Sequence, residues 1–456
     1  MALTVTEQSL FNNMRNTLQV ARAGTGRLND IYEGDYRLKQ LGLAIPDELK
    51  RFSVWLAWPR VQVDSIEQRL DVQGFRMGGT ANGFLWDAWQ YNNMDERQTF
   101  VHTDALALER AYVCVGRNDE DPEFPLITVE SPMHMIAVRD PRTHRVTAAL
   151  RVYSSDDTNP DLQDNRATLY LPNQTRWLIA DGDGWVDEFE PDVHNLGQAP
   201  VVPFVNRMRA TRRSGSIVEG VSEMNDIIPI AESASRAITN TQLLQETLVA
   251  PARGVLGATK GDFIGDDGKP LDTWEAYFGA VWALTNKDAK TFEFSAADLS
   301  NMETALNMYA RQASGVSGLP VEYFGLNTQN PPSADGQRAG ETRLIKRAER
   351  KQTGFGHSWE SVQRLVLRFA GRYTDDATRM ETIWRDAGTP TVAQVTDAIV
   401  KRHQSGLIDW ETAQERMGES PEAIAVMKER RQAELESALT FGVSQANQDQ
   451  ATQQEF

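Results

Sequence analysis

Hydrophobic positions near the start of the chain recur every three or four residues. Leu10, Met14, Leu18 and Ala21 therefore share one face of a helix predicted over 7–28. An aromatic-rich turn, Ile31-Tyr32-Glu33-Gly34-Asp35-Tyr36-Arg37, follows. Trp55 to Arg60 leads into Val61-Gln62-Val63-Asp64, whose alternation predicts a short strand, with a helix starting over 65–70. Leu85-Trp86-Asp87-Ala88-Trp89 and Asn92-Asn93-Met94 open another helical stretch reaching about residue 111. From Tyr112 to Phe204 the period shortens to two: Val113 and Val115, Ile127 and Val129, Ile136 and Val138, Leu150 and Val152, Leu169 and Leu171, Trp177 and Ile179. Asp-Pro, Asn-Pro and Asp-Gly pairs punctuate these runs, which predicts an antiparallel meander inserted in an α-rich domain. Asp181-Gly182-Asp183-Gly184 reads as a hairpin turn. It lacks the third oxygen ligand and the distal Glu of a calcium loop. Ala199-Pro200-Val201-Val202-Pro203-Phe204 closes the region as a strand.

A long helix is predicted next, with Val221, Met224, Ile228, Ala231, Ala234, Ile238, Leu244 and Leu248 on one face. Pro229 marks a first turn or a kink in it, and Pro251 ends it. Residues 252–297 are punctuated by glycine. Leu299, Met302, Leu306, Tyr309 and Ala313 then form a second narrow stripe, so two helices flank a compact insert. A Pro/Asn-rich loop over 326–336 precedes a long helical region that runs to about Tyr373, with Phe355, Trp359, Val362, Val366 and Phe369 on one face. Gly354 and Gly356 are expected to weaken or bend its middle. Thr391 with Gln394 reads as a capping box, and Ser420-Pro421-Glu422 as an N-cap followed by Pro at the first helical position. The last dozen residues are polar and expected to be disordered. The secondary-structure pattern is thus α+β.

The 456 residues suffice for two or three domains. The single cysteine, Cys114, leaves no intramolecular disulfide framework and suits a reducing cytoplasm. No apolar run long enough to span a membrane, and no signal peptide, is read. The net charge of −17 argues against tight binding of a phosphate backbone by the whole chain. Simple solubility accounts for such a charge; it is also compatible with DNA as a passing neighbour, because a wall that repels phosphates lets a duplex slide.

Signals for catalysis are weak. Gly268-Lys269 is followed by Pro270, so no phosphate-binding loop is read. The six histidines form no His-x-x-x-His pair. Gly315-Val316-Ser317-Gly318 misses the spacing of a nucleophile elbow, and Cys114 sits in an apolar strand. No catalytic residue, metal or cofactor is expected. The dense basic run Arg338, Arg343, Lys346, Arg347, Arg350 and Lys351 admits two readings. One is a solvated helix face with intrahelical pairs such as Glu341 with Lys346. The other is contact with DNA or, preferably, with an acidic neighbouring subunit.

Several segments stand out as motifs. They are Tyr32-Glu33-Gly34-Asp35; Trp58-Pro59-Arg60-Val61-x-Val63-Asp64-Ser65; and His194-Asn195-Leu196-Gly197-x-x-Pro200-Val201-Val202-Pro203-Phe204 with Asn206 after it. Ser222-Glu223, Gly318-Leu319-Pro320 and Leu319 to Gly325 add to these, with Asn330-Pro331-x-Ser333-Ala334, Lys346-x-x-x-Arg350-Lys351-Gln352, Trp359, Gly406-Leu407-Ile408 and Gly418. Together they resemble the portal proteins of tailed bacteriophages, siphophage type. Asp335-Gly336-Gln337 departs from the family pattern, where a helix-forming sequence is usual.

The resemblance implies a portal-type fold. Residues 1–220 with part of 338–390 would form an α/β wing, 221–250 and 298–315 a two-helix stem, and 251–297 a small clip. Residues 316–337 would hold the tunnel loop, 338–390 a long bent core helix and the return to the wing, and 391–456 a helical crown. It also implies a function: a homo-oligomeric, dodecameric ring at a capsid vertex of the virion, assembled in the host cytoplasm, through which double-stranded DNA is packaged and ejected. The implied partners are the terminase large subunit, a head-tail adaptor, and the major capsid and scaffolding proteins. Asn327, Thr328, Gln329, Asn330, Ser333 and Asp335 would line the channel, an ordinary surface connection being the other reading. Another phage head or neck protein, or an acidic-site nuclease, are the rival classes.

Overall fold

The computed structural model describes residues 3–38, 53–154, 164–182, 184–209, 217, 219–248, 253–257, 290–293, 300–326, 334–388, 392–417, 424 and 426–432. Asn327 to Ser333 of the expected tunnel loop, most of the expected clip, Thr391, Ser420 to Glu422 and the C-terminal tail lie outside them. The chain divides into two compact units, Met1–Ala387 and Gly388–Phe456.

The larger unit opens with helix α1, Val5–Glu33. Thr4 and Glu7 form its capping box: Thr4 N–H donates to Glu7 Oε2 at 2.9 Å, and Glu7 N–H donates to Thr4 Oγ1 at 3.3 Å. Its buried face of Phe11, Met14 and Leu18 covers one sheet, together with Leu150, Leu169, Leu178 and Trp185. The first two strands and the last strand of the meander predicted over 112–204 lie in a different sheet. This sheet takes only the middle of it: β5 (Met135–Arg139), β6 (Val146–Tyr153), β7 (Arg166–Tyr170), β8 (Gln174–Asp181), β9 (Gly184–Asp187) and β10 (Asp192–Val193). Its order is β10-β8-β7-β6-β5, with β9 paired to β8 through Asp181 and Gly184. Gly182, at φ 58°, takes the left-handed turn conformation that the Asp-Gly signal implies.

A second sheet, β11-β3-β4, holds β3 (Arg110–Gly116), β4 (Leu126–Glu130) and β11 (Val201–Val205). A third, β14-β1-β2, joins β1 (Val72–Met77) and β2 (Thr80–Ala81) to β14 (Met380–Trp384) from far along the chain. The main core lies between these two sheets and the helices α2 (Trp58–Glu67), α3 (Gly83–Tyr91), α4 (Met94–Ala107) and α7 (Ala334–Phe369). Trp359 is its centre, with ring centroids 4.8 Å from Trp89 and 4.6 Å from Phe204. Its indole N–H donates to His102 Nε2 at 3.0 Å, and His102 stacks on Phe355. Burial lowers the His102 pKa to about 3, with the Leu70 carbonyl opposing, so a neutral imidazole fills the core.

Two further helices, α5 (Ile228–Leu248) and α6 (Ser300–Ser317), pack together. Small residues are buried on both: Ala231, Ala234, Ser235 and Thr239 on α5, and Ala310 and Ala313 on α6. Ser235 and Thr239 accept backbone N–H groups of Leu56 and Val54 at 2.9 and 3.0 Å, tying α5 to the segment before α2. Beyond these helices β12 (Arg253–Leu256) and β13 (Lys290–Glu293) form an antiparallel pair. The smaller unit contains α8 (Val392–Gln404) and α9 (Trp410–Met417), with Lys428 paired to Glu411 at 2.5 Å and Arg431 over the Trp410 ring.

Several boundaries differ from the sequence reading. Val61-Gln62-Val63-Asp64 is helical, not a strand. Pro59 sits in the first turn of α2, and the buried residues Trp58, Gln62, Val63 and Ile66 follow a helical period. The stretch 85–111 is two helices parted at Asn93, whose φ is 52°. The long helix begins at Ile228 rather than Val221. A 3-10 turn, Glu223–Asp226, stands before it, and Pro229 occupies the first helical turn, where a missing N–H costs nothing. Helix α7 starts at Ala334, so Asp335 belongs to its first turn rather than to the loop. It is continuous through Gly354 and Gly356. A Cβ at Gly356 would lie 3.2 Å from Trp384 Nε1, so that glycine allows β14 to approach.

Candidate functional site

The most constrained region is where the start of α5, the end of α6 and the N-terminal half of α7 meet. It begins with Asn206, just past β11. Its backbone N–H donates to Glu109 O at 2.9 Å, its carbonyl accepts from Val221 N–H at 3.0 Å, and its Nδ2 donates to Val221 O at 2.7 Å. Gly220 passes so close that a Cβ there would stand 2.2 Å from Glu109 O and 2.6 Å from Asn206 O. Ser222 then caps the 3-10 turn, accepting from Met224 N–H at 3.1 Å. This fixes the backbone that presents Glu223, whose side chain is 1% exposed.

Helix α7 supplies the opposite charges. Arg343, Arg347 and Lys351 are four residues apart and so lie along one stripe. Lys351 Nζ lies 2.6 Å from Glu223 Oε1 and donates to Asn206 Oδ1. Arg347 stands 3.6 Å from Glu223 Oε2 and donates to the Ser317 carbonyl at the end of α6. Arg343 donates to Gly315 O at 3.3 Å and packs over Gly318, which has φ 74°. The stripe thus ties carbonyls at the α6 C-terminus, where cations are favoured, to the acid ahead of α5. Burial pushes the Glu223 pKa up, but the charges of Lys351 and Arg347 outweigh it and hold the carboxyl below its usual range.

One turn earlier on α7, Glu341 accepts from Tyr323 OH at 2.9 Å and pairs with Arg69 at 3.0 Å. Arg69 also donates to Ala387 O at 2.6 Å. Glu341 therefore engages Tyr323 and Arg69, while Lys346 pairs with Glu349 at 2.6 Å. Lys346 and Arg350 are exposed on a neighbouring stripe, and the Arg338 side chain lies outside the described residues. The basic run is thus two stripes, one turned into its own chain and one outward. Asn206, Ser222-Glu223 and Lys351 stand out separately in the sequence. What it does not show is their convergence across 145 positions.

Cys114 is buried beside Met135, and burial, with the charge of Glu130 adding, pushes its thiol far above the ordinary range. Among the described residues no group of His, Cys, Asp and Glu could hold a metal ion. No helix among them is long and apolar enough to cross a membrane.

Charges that bind backbone to backbone at the root of a helix pair define a structural junction. Residues 23–437 match the family described as phage portal protein, SPP1 Gp6-like. The chain is 38% identical over 428 residues to a portal protein of Mycobacterium phage D29, covering 90% of this chain and 85% of that protein. It is 36% identical over 427 residues to the portal protein of Mycobacterium phage L5, with the same coverage. The chain belongs to the phage portal protein family. Among solved structures it is similar, at 14% identity and a TM-score of 0.43, to a chain from the neck of an empty gene transfer agent particle, covering 84% of this chain and 93% of that one.

Proposed function

We propose that the chain is the subunit of a closed ring at one vertex of a phage capsid, a conduit through which double-stranded DNA enters and leaves. Membership of the portal family carries this reading, and the anchored pair α5 and α6 supports it. In the ring these helices are the stem, residues 251–297 the clip that meets the terminase large subunit and later a head-tail adaptor, and 391–456 the crown. The outer wing meets the capsid and scaffolding proteins. The loop ahead of α7 faces DNA through Asn327, Thr328, Gln329, Asn330 and Ser333. It is polar and almost uncharged, so it touches phosphates without the salt-sensitive grip of lysines. Asp335, in the first turn of α7, adds a repelling charge near that surface. Because α7 begins directly after the loop and is clamped by Arg343, Arg347 and Lys351 to both stem helices, a push on the loop is carried to the stem by a rigid element.

Electron microscopy of the purified chain should show rings with a central hole. A folded monomer at every concentration and salt would refute the ring. Within assembled rings, Thr328→Lys with Gln329→Lys should tighten DNA retention at low salt and slow packaging. Unchanged packaging by normally formed rings would remove the loop from the channel.

A further inference from the structure

The hairpin between β5 and β6 closes over a recess whose floor is β11 and whose far wall is α7. Arg139, His144 and Arg145 come from the hairpin and His357 from α7, so two arginines and two histidines meet at one hollow. Among the described residues that line it there is no carboxylate. Its serines are turned to the backbone: Ser358 donates to Pro203 O at 3.3 Å, and Ser361 to His357 O at 2.8 Å. The floor, Val201, Val202 and Leu365, is apolar. Two acids adjoin the rim and both are engaged. Asp140 accepts from the N–H groups of Arg142 and Thr143 at 2.8 and 2.7 Å, and Glu360 interacts with His357 and lies 4.0 Å from Arg364. The hairpin tip is held in shape by Asp140 N–H to Arg145 O at 2.9 Å and His144 N–H to Asp140 O at 2.8 Å. A preformed cationic hollow in a chain of net charge −17 selects an anion. A concave recess with an apolar floor fits a short acidic peptide segment. Duplex DNA is gripped instead by many cations spread along its backbone.

The same chain carries a matching segment. The loop from β3 to β4 contains Asp119, Glu120, Asp121 and Glu123 around Pro122. It is ordered by its own side chains: Asn118 Oδ1 accepts from Glu120 and Asp121 N–H at 3.1 and 3.3 Å, and Asp121 Oδ1 accepts from Glu123 N–H at 3.1 Å. Phe124 at its base stacks on Phe84 and Tyr91. Of the acids in this loop Glu123 is paired, with Arg372 at 2.9 Å, and Arg117 at its start pairs with Asp192 at 3.6 Å. In another acidic run, 187–192, Asp187 pairs with Arg176, Glu188 with Arg166 and Asp192 with Arg117.

We infer that the acidic loop 119–123 of one copy enters the Arg139–Arg145–His357 recess of the next. The inference rests on the ring reading, because a head-to-tail ring needs two unlike, complementary patches on one chain. The full-length chain tests it by mass photometry. Arg145→Glu should weaken association about tenfold, as should Asp119→Lys with Glu120→Lys, while all three changes in one chain should recover most of the loss. Wild-type association in either one-sided variant, or no recovery in the combination, overturns the contact. A fluorescein-labelled peptide copying residues 117–125 separates this from the ring itself. It should bind the wild-type chain and lose about tenfold affinity against Arg145→Glu. If the wild-type chain never assembles, the ring reading falls, and peptide binding then upholds the recess as a site for the acidic segment while its absence overturns it.

Discussion

Replacing Lys351 by Met tests the junction directly. Glu223 is 1% and Lys351 13% exposed, so the pair is screened far less than a surface ion pair. At 2.6 Å their attraction is about 6 kcal/mol for an effective dielectric near 20, and Arg347 at 3.6 Å adds about 5 kcal/mol more. Most of this is offset by the cost of taking the charges out of water. Removing one partner leaves the other buried, which costs about 3–5 kcal/mol. Because Arg347 remains beside Glu223, Lys351→Met should fall near the lower end, about 3 kcal/mol. Glu223→Gln with Lys351→Met removes both charges and should stand within about 1 kcal/mol of the wild type, recovering roughly 2 kcal/mol of the loss in the single variant. Arg350→Met, one position away on the exposed stripe, should change stability by less than about 0.5 kcal/mol. Urea unfolding followed by tryptophan emission measures all four chains. Every tryptophan but Trp410 precedes Gly388, so the signal reports the larger unit. A loss below about 1 kcal/mol for Lys351→Met, or a double variant no more stable than it, would refute the junction as a buried charge clamp.

Three further outcomes are expected. Gly220→Ala should destabilise by about 2–3 kcal/mol, since its methyl would meet two carbonyl oxygens, and an unchanged urea midpoint would contradict this. His102 has a folded pKa near 3, below its unfolded value, so the unfolded chain takes up a proton first as pH falls and stability drops below about pH 6.5. The His102 share is roughly 2 kcal/mol at pH 5, and His102→Gln, which keeps an acceptor for Trp359, should lose that much of the pH dependence; equal slopes in both chains would contradict it. Cys114 should stay inert to a thiol reagent in the native chain and react at least about a hundredfold faster in denaturant, a result measured by absorbance.

Much of the fold is legible because it is local. Period-two runs with Asp-Gly and Asn-Pro breaks mark the meander, and three-and-four spacings mark α1, α6 and α7. Val61 and Val63 misled because two β-branched residues in alternation resemble a strand, whereas Pro59 and the spacing of Trp58, Gln62 and Ile66 decide for a helix. Strand β1 carried a signal that went unread, the Gly78-Gly79 turn into β2, but β14 left none, because it is short and its partner lies some 300 residues away. The junction was hidden for the same reason. Glu223, Asn206 and Lys351 each look ordinary in their own segment, and only the fold brings a carboxylate against two cations. The outward and inward halves of the basic run differ by the phase of a helix turn, which a count of charges does not show.

The pairing of β1 with β14 also sets a clock on synthesis. Val72 is bonded in register with Trp384, so one edge of the strand has no permanent partner until nearly the whole larger unit has left the ribosome. At roughly 5–20 residues per second that interval is on the order of 15–60 s. Throughout it a strand whose core face carries Val72 and Phe75 beside an exposed ladder edge is available to any neighbouring nascent chain. Newly made subunits crowded on one message would therefore meet through the wrong edges, and yield should depend more on translation speed and chaperone supply than on the stability of the finished subunit.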